Sequence, residues 1–417
     1  MRLQLRPSLA ARALAAAGVV AALLAAPAPR VRAGTQDAST RVTVFAEPSS
    51  ANMGVIVTHP QLDLGTTLGP DFRLAVGYSV DIVSGATPRI FGPHTGTVDV
   101  VTSASKFSDV RHQVQGTLSY DRPSSSLAFT GSYGWESDYR SAAITGTTRT
   151  DLLDHNFTLG LSYTHNFDTV CDANNMAVIG DPIQLKPLEK SDDCFTSAAD
   201  VTTHQLHIDT FQPSLSWTAT PKLIVELGST IQLLDGFQSN PYRQVLLGRD
   251  HLTPQERLPQ FRQRYAVYLR AAYALPAVRA SLMGMGRVYQ DSWALQAGTG
   301  EALINKYFGQ SLLLTLRGRY HIQSGASFYR NGLDYLTLGP IGQYWTGDRE
   351  LSPMSNYLAG GKIALLRRPE QERSSWFVEM ELNLKYELLL YHLDSPDAPN
   401  ADRTRAHIVQ AAFSLRF

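Results

Sequence analysis

Charged residues recur here at alternate positions opposite leucines and aromatics. In the stretch 376–388, Val378, Met380, Leu382, Leu384, Tyr386 and Leu388 alternate with Glu379, Glu381, Asn383, Lys385 and Glu387. Such spacing puts every charge on one face of an extended chain, whereas a helix would scatter them around its circumference. The same reasoning places Arg111, Glu226, Arg264, Arg270, Arg279, Arg287, Arg317, Arg319, Lys362 and Arg416 on that polar face. The chemistry open to such a set is electrostatic: either cross-strand pairs that rigidify a plugged interior, or a net-basic, water-filled lining that favours anionic solutes.

Other residues with chemical potential point elsewhere. Cys171 and Cys194 share a connection expected over 168–202, and in an exported chain they are expected to pair as a disulfide. That connection is acidic, with Asp168, Asp172, Asp181, Glu189, Asp192, Asp193 and Asp200 against Lys186 and Lys190, but the spacing is not that of a calcium loop, so a solvated acidic loop is the expectation and no metal is assigned. His204 and His207 stand three apart on a strand and therefore point to opposite faces, which does not suit a shared ion. His94 and His251 fall in connections without a paired carboxylate pattern. No CxxCH or G-x-S-x-G motif is present, so neither covalent haem nor a nucleophile elbow is expected, and no cofactor is assigned. A hydrolase would need a histidine beside a serine or aspartate assembled from distant strands.

The elements that must carry this face are strands. The segment 156–167 sets Phe157, Leu159, Leu161, Tyr163 and Phe167 against Thr158, Gly160, Ser162, Thr164 and Asn166. Leu127, Phe129, Tyr133 and Trp135 repeat the period, as do Leu223, Val225, Leu227, Ile231 and Leu233. These runs exceed the 5–6 residues usual in a soluble sandwich and reach the roughly 9–11 that a tilted membrane strand needs. Mean hydropathy is only −0.15 because the two faces cancel, and no apolar run beyond residue 33 would span a bilayer as a helix. Lysine plus arginine and aspartate plus glutamate are 37 each, so no overall bias toward nucleic acid exists.

Short turns alternate with long connections. Turns are read near residues 69–71, 121–125, 150–154, 220–221, 275–276, 323–326 and 367–373. Long connections are read at 83–108, 168–202, 236–260, 291–305, 334–353 and 392–403. The intervening segments give strands at 41–47, 54–68, 72–82, 109–121, 125–136, 138–149, 154–167, 203–219, 222–235, 261–275, 277–290, 306–322, 325–333, 354–367, 374–391 and 404–417. The count is sixteen within a range of 14–18, an all-β, antiparallel, up-and-down transmembrane barrel. Pro213 and Pro276, inside or at the ends of strands, imply a bulge or a displaced turn.

Both ends fit export. Arg2, Arg6 and Arg12, an apolar run over 13–26 and Val31-Arg32-Ala33 read as a cleaved signal peptide over 1–33, leaving 34–417 as the barrel. At the other end Val409, Ala411, Phe413, Leu415 and Phe417 are apolar at every second position. A strand closing on an aromatic resembles the sorting signal read by the outer-membrane assembly machinery of Gram-negative bacteria.

The segments Tyr78-Ser79-Val80-Asp81-Ile82-Val83-Ser84-Gly85-Ala86-Thr87-Pro88, Val98-Asp99-Val100-Val101-Thr102-Ser103-Ala104-Ser105 and Asp109-Val110-Arg111-His112 resemble the signature region of a bacterial barrel family known as domain of unknown function 3570. The likeness runs from about residue 41 to 417, with 72–121 its distinctive part. It implies an outer-membrane barrel and assigns no cargo or activity. Val44-Phe45-Ala46-Glu47-Pro48 departs from the tyrosine and paired acids of that pattern. The connection 83–108 reads as a small-residue loop folding back into the mouth, with a binding or gating role as the alternative.

Three functions follow from these readings. One is a passive channel for small polar or anionic solutes. The second is a non-conducting barrel whose external loops, chiefly the disulfide-closed one, dock a partner. The third is an outer-membrane hydrolase.

Overall fold

A computed structural model describes residues 36–48, 55–85, 107–172, 194–197, 202–241, 245, 247, 255–368, 377–393 and 403–417. The expected signal peptide, His94, His251, most of 83–108 and most of the acidic connection lie outside these residues.

Sixteen antiparallel strands form one closed barrel in which each strand pairs with its sequence neighbours. They are β1 (Gln36–Glu47), β2 (Val55–Leu68), β3 (Phe72–Gly85), β4 (Phe107–Arg122), β5 (Ser125–Trp135), β6 (Tyr139–Leu152), β7 (Phe157–Asp172), β8 (Thr202–Thr220), β9 (Leu223–Gly236), β10 (Phe261–Leu275), β11 (Ala280–Asp291), β12 (Gln296–Phe308), β13 (Leu312–Gln323), β14 (Met354–Arg367), β15 (Glu379–Leu393) and β16 (Arg403–Arg416). Closure removes every sheet edge, so each backbone N–H and C=O of the wall has a neighbour to bond, which a hydrocarbon environment demands. The seam joins first strand to last, Val42 opposite Ala411 and Val44 opposite Val409. Phe417 completes it by exchanging two backbone hydrogen bonds with Gln36, at 2.8 and 2.9 Å.

Alternation sets the two faces. Leu64, Leu74, Phe129, Leu161, Leu269, Leu316 and Leu384 are all exposed, on the face opposite the charges. In a closed barrel the charged face is the lumen, and an outward apolar belt is the surface that lipid requires. Aromatic pairs edge the belt. Phe72 and Tyr120 (ring centroids 5.0 Å apart) and Phe157 and Trp217 (6.2 Å) lie by the tight turns. Tyr78 and Tyr386 bond His112 and His407 toward the long connections. A ring whose polar tip is satisfied suits the headgroup level.

At one end, here the turn end, connections are short. Gly69 and Gly309 adopt positive φ (72° and 62°), which turns of this length require and which costs glycine little. The long connections lie at the other, loop end. Most predicted strands recur within a few residues, but one region differs. The segment predicted as a single strand over 306–322 is two strands, β12 and β13, split by the Gly309 turn. Most of the predicted connection 291–305 is β12, and the predicted strand 325–333 is not in the sheet. The cause is composition: outward positions of β12 include Gly298, Gly300 and Ala302, which erase the apolar period. Ala326 and Phe328 alternate because they pack into a small core of connections, not because they belong to a sheet.

The prolines act differently from one another. Pro276 opens a single 3-10 turn (Pro276–Val278), so β11 begins at Ala280. Pro213 interrupts the β8–β9 pairing without changing its register, and the shift comes later, between Thr218 and Thr220.

Candidate functional site: the mouth of the barrel

The lumen wall has chemically distinct sectors, and β1–β3 carry the pairs Arg73–Asp37 and His59–Asp81. From β4 to β8 it is lined by hydroxyls that bond across strands: Thr117 with Thr130 (2.8 Å), Thr145 with Thr164 (2.9 Å) and Thr147 with Ser162 (3.1 Å). From β9 to β16 it is ionic. Glu226 accepts from Tyr268, Arg270 and Ser216. Glu301, Arg317, Glu387 and Lys385 form a chain, with Arg317 donating to Glu301 at 2.6 Å and to Glu387 at 3.0 Å. Lower down, Glu379 pairs with Arg368 and Arg416, and Glu381 accepts from Asn383.

Among the described residues, Arg264, Arg287, Arg319 and Lys362 have no carboxylate within salt-bridge distance. Arg264 is held by Gln232 Oε1 (3.0 Å), and Arg319 makes one long contact to Asn356 (3.5 Å). The Nε atoms of Arg264 and Arg319 are buried without an acceptor. Arg287 packs beside the Tyr289 ring and Arg111 beside that of Tyr139. Arg279 is in the turn before β11, at φ 51°, lining a turn-end cavity of about 330 Å³ with Tyr307 and Arg368.

A second layer of connections packs over the loop end. The connection 324–353, containing the short helix α1 (Gly332–Leu338), crosses the mouth between β13 and β1. Leu351 joins Ala326, Phe328, Trp293, Leu295 and Leu258 in an apolar cluster built from three connections. Tyr335, Val245 and Leu247 form a second cluster, in which the Tyr335 hydroxyl donates to Phe328 O and accepts from Thr346 N at 3.0 Å. Burial pushes that hydroxyl above its ordinary range.

The far end of the crossing is latched. Arg349 donates to both oxygens of Glu47, at 2.6 and 2.8 Å, and its guanidinium lies over the Tyr391 ring at 5.4 Å. Glu47 is 2% exposed at the top of β1, and its carboxylate holds Arg349 charged beyond the usual guanidinium range. Gln323 Nε2 adds 2.8 Å bonds to the carbonyls of Glu350 and Ser352.

Beneath the crossing lies a cavity of about 430 Å³. Arg262, Arg264 and Arg287 line it from β10 and β11, His321 and Gln323 from β13, and Asp348 and Glu350 from the crossing segment. Arg262 is spoken for: Asp291 accepts from it, from the Tyr289 hydroxyl and from the backbone of Trp293 and Leu295. Arg264 and Arg287 line the cavity without a carboxylate within salt-bridge distance. The fold therefore places cations that are not ion-paired in the wall at a narrowed entrance. Sequence reasoning named Arg264 and Arg287 but missed Glu350, Asp348 and the Arg349–Glu47 latch. Only Glu47, within the departure from the family pattern, carried any signal.

The remaining expected groups are placed as follows. Cys171, at the end of β7, is bonded to Cys194, which opens a one-turn helix (Cys194–Ser197). Backbone bonds from Cys171 and Cys194 to Asp138 and Ser137 hold this linkage against the β5–β6 connection. Asp168 is buried in the wall and accepts from Tyr139 and Ser141. His204 faces inward by Asp172 and His207 outward by Phe167, so they share no ion. His59 pairs with Asp81 and His165 with Asp209, at 2.6 and 2.7 Å, and among the described residues neither histidine bonds a serine.

A closed antiparallel barrel with an apolar outer belt, a polar lumen and a connection folded across one mouth is a transmembrane barrel of the outer-membrane type. The chain belongs to the family described as protein of unknown function (DUF3570), which it matches over residues 7–365. No curated protein matches it. Among solved structures it is similar to a bacterial polysaccharide outer membrane secretin (TM-score 0.44, 10% identity, 91% of this chain and 98% of the other). It is also similar to the siderophore receptor PirA from Pseudomonas aeruginosa (0.39, 10%, 91% and 80%) and to OccK1 (OpdK) from the same organism (0.38, 7%, 93% and 99%).

Proposed function

We propose that the protein is a passive outer-membrane channel for small polar or anionic solutes, with its loop end outside and its turn end in the periplasm. Arg264 and Arg287 carry this reading: lumen cations without carboxylate partners, lining a cavity under a segment that narrows the entrance. A purely structural wall would pair such charges, as it does at Arg317 and Arg262. Unpaired arginines in a wet lumen instead raise the local concentration of anions. Lipid covers the belt, and the strand bearing Val409, Ala411, Phe413, Leu415 and Phe417 addresses the chain to the barrel-assembly machinery.

The test is conductance of purified protein in planar bilayers under a potassium chloride gradient. The expected reversal potential favours chloride, and Arg264→Gln with Arg287→Gln moves it toward zero. Absence of conductance steps at any voltage would remove the channel reading. Steps whose selectivity ignores the two arginines would remove the role given to them.

A further inference from the structure

The mouth cavity is lined by charges of both signs. Glu350 lines the cavity together with Arg264, and no salt bridge joins its carboxylate to a described cation. Opposite charges in one cavity normally close on each other, and here the scaffold holds them apart. Arg264 is tied to Gln232 Oε1 at 3.0 Å. Glu350 is fixed at both ends of its peptide unit: its N–H donates to Asp348 Oδ1 at 3.0 Å and its carbonyl accepts from Gln323 at 2.8 Å. The next residue, Leu351, is anchored in the apolar cluster. The same lining includes apolar groups, Leu206 and Leu234 on β8 and β9 and the Tyr289 ring on β11, beside polar ones such as Gln238 and His321.

Each feature narrows the occupant. A simple anion would satisfy the arginines but meet Glu350. A sugar can hydrogen-bond the arginines and Glu350 but neutralises neither charge, and its hydroxyls find no partners on the leucines. Arg264 is half-buried and Glu350 exposed, so the desolvation cost sits at the arginine end, and the site discriminates best for a molecule that pairs the guanidinium while also answering the carboxylate. Pre-set charges also cost nothing to organise when the solute arrives. A cavity of this size is within the range of small-molecule sites, about 300–1,000 Å³.

We propose that the cavity selects small zwitterions with an apolar side group, the α-amino acid class, with the carboxylate on Arg264 and Arg287, the ammonium toward Glu350 and the side group on Leu206, Leu234 and Tyr289. This rests on the channel reading and names its solute.

Swelling of proteoliposomes in iso-osmotic leucine, compared with the pentose arabinose, tests it. Leucine is expected to enter about threefold faster or more, and the ratio to fall toward one in both the Arg264→Gln/Arg287→Gln and the Glu350→Gln proteins. Glu350→Gln lies outside the barrel wall and leaves folding intact, which heat-modifiable migration on gels verifies. A leucine rate equal to that of arabinose overturns the amino-acid assignment while the channel stands. A ratio lost with the arginines but unchanged by Glu350→Gln overturns the zwitterion in favour of an anion. If neither solute enters, the channel reading falls, and equilibrium dialysis of radiolabelled leucine against detergent-solubilised protein decides the site. Label retained by the native protein and lost in Glu350→Gln supports the site, and no retention overturns it.

Discussion

Removing the latch should free the segment that crosses the mouth. In Arg349→Ala the Glu47 carboxylate, 2% exposed, loses two hydrogen bonds of 2.6 and 2.8 Å. Stripping one partner from a buried pair costs about 3–5 kcal/mol. The Arg349 side chain is 32% exposed, so water recovers part of this and about 2–3 kcal/mol is the better figure. That loss falls on the crossing segment and not on the barrel, whose hydrogen-bond ladder is untouched. It shifts the closed-to-open ratio of the segment by roughly 30- to 140-fold. The Gln323 bonds and the Leu351 contacts remain, so the segment becomes mobile without being lost. Single-channel recording should therefore give larger or noisier conductance in Arg349→Ala. Glu47→Gln should act alike, and the double variant should be no worse than either single one. Native conductance and noise in a correctly folded Arg349→Ala protein would refute the view that this pair holds the entrance narrow.

Other perturbations separate the two faces and ends. Leu384→Arg puts a cation on the exposed outer face and should lower stability to urea in lipid vesicles by about 2–4 kcal/mol, whereas lumen-facing Asn383→Arg should cost far less; equal costs would mean the faces are misassigned. Serine at Cys171 and Cys194 removes a linkage spanning 23 residues, worth about 3 kcal/mol, and should speed proteolysis of that loop while leaving heat-modifiable migration unchanged. Phe417→Ala keeps the backbone exchange with Gln36, so it should reduce the amount assembled in cells more than the stability of refolded barrel. Tyr335 gives a pH signature. Its pKa is raised above 10 in the folded segment, so its contribution is complete below pH 10 and is lost as pH rises beyond it. Protection factors across 324–353, corrected for the base-catalysed intrinsic exchange rate, should fall there, and Tyr335→Phe should abolish that fall.

Most of the wall was legible because a strand in lipid is read by one rule. Leu382, Leu384 and Tyr386 must meet hydrocarbon, so Asn383 and Lys385 must not, and no tertiary information is needed to say so. Where the outward residues are small the rule weakens, which is why β12 was read as a connection and Phe328 as part of a strand. Parity of turns and connections still returned sixteen strands, because one strand missed in 296–308 was balanced by one supplied in error at 325–333.

The candidate site was legible only in part, for a physical reason. Alternation assigns a side chain to a face but not to a partner. Arg317 and Arg264 look identical in sequence, yet Arg317 is neutralised by Glu301 and Glu387 while Arg264 has no carboxylate neighbour. That difference depends on register between strands and on how far each side chain reaches around the wall. The 324–353 crossing is further removed from local pattern, since Arg349 meets Glu47 across 302 residues of sequence. The sequence by itself determined that the chain is a membrane barrel, which residues face lipid and how the last strand is built, because lipid acts on each residue separately. Tertiary structure decided which lumen charges remain unpaired and which connection narrows the entrance, because pairing and closure are properties of residues brought together from opposite sides of the barrel.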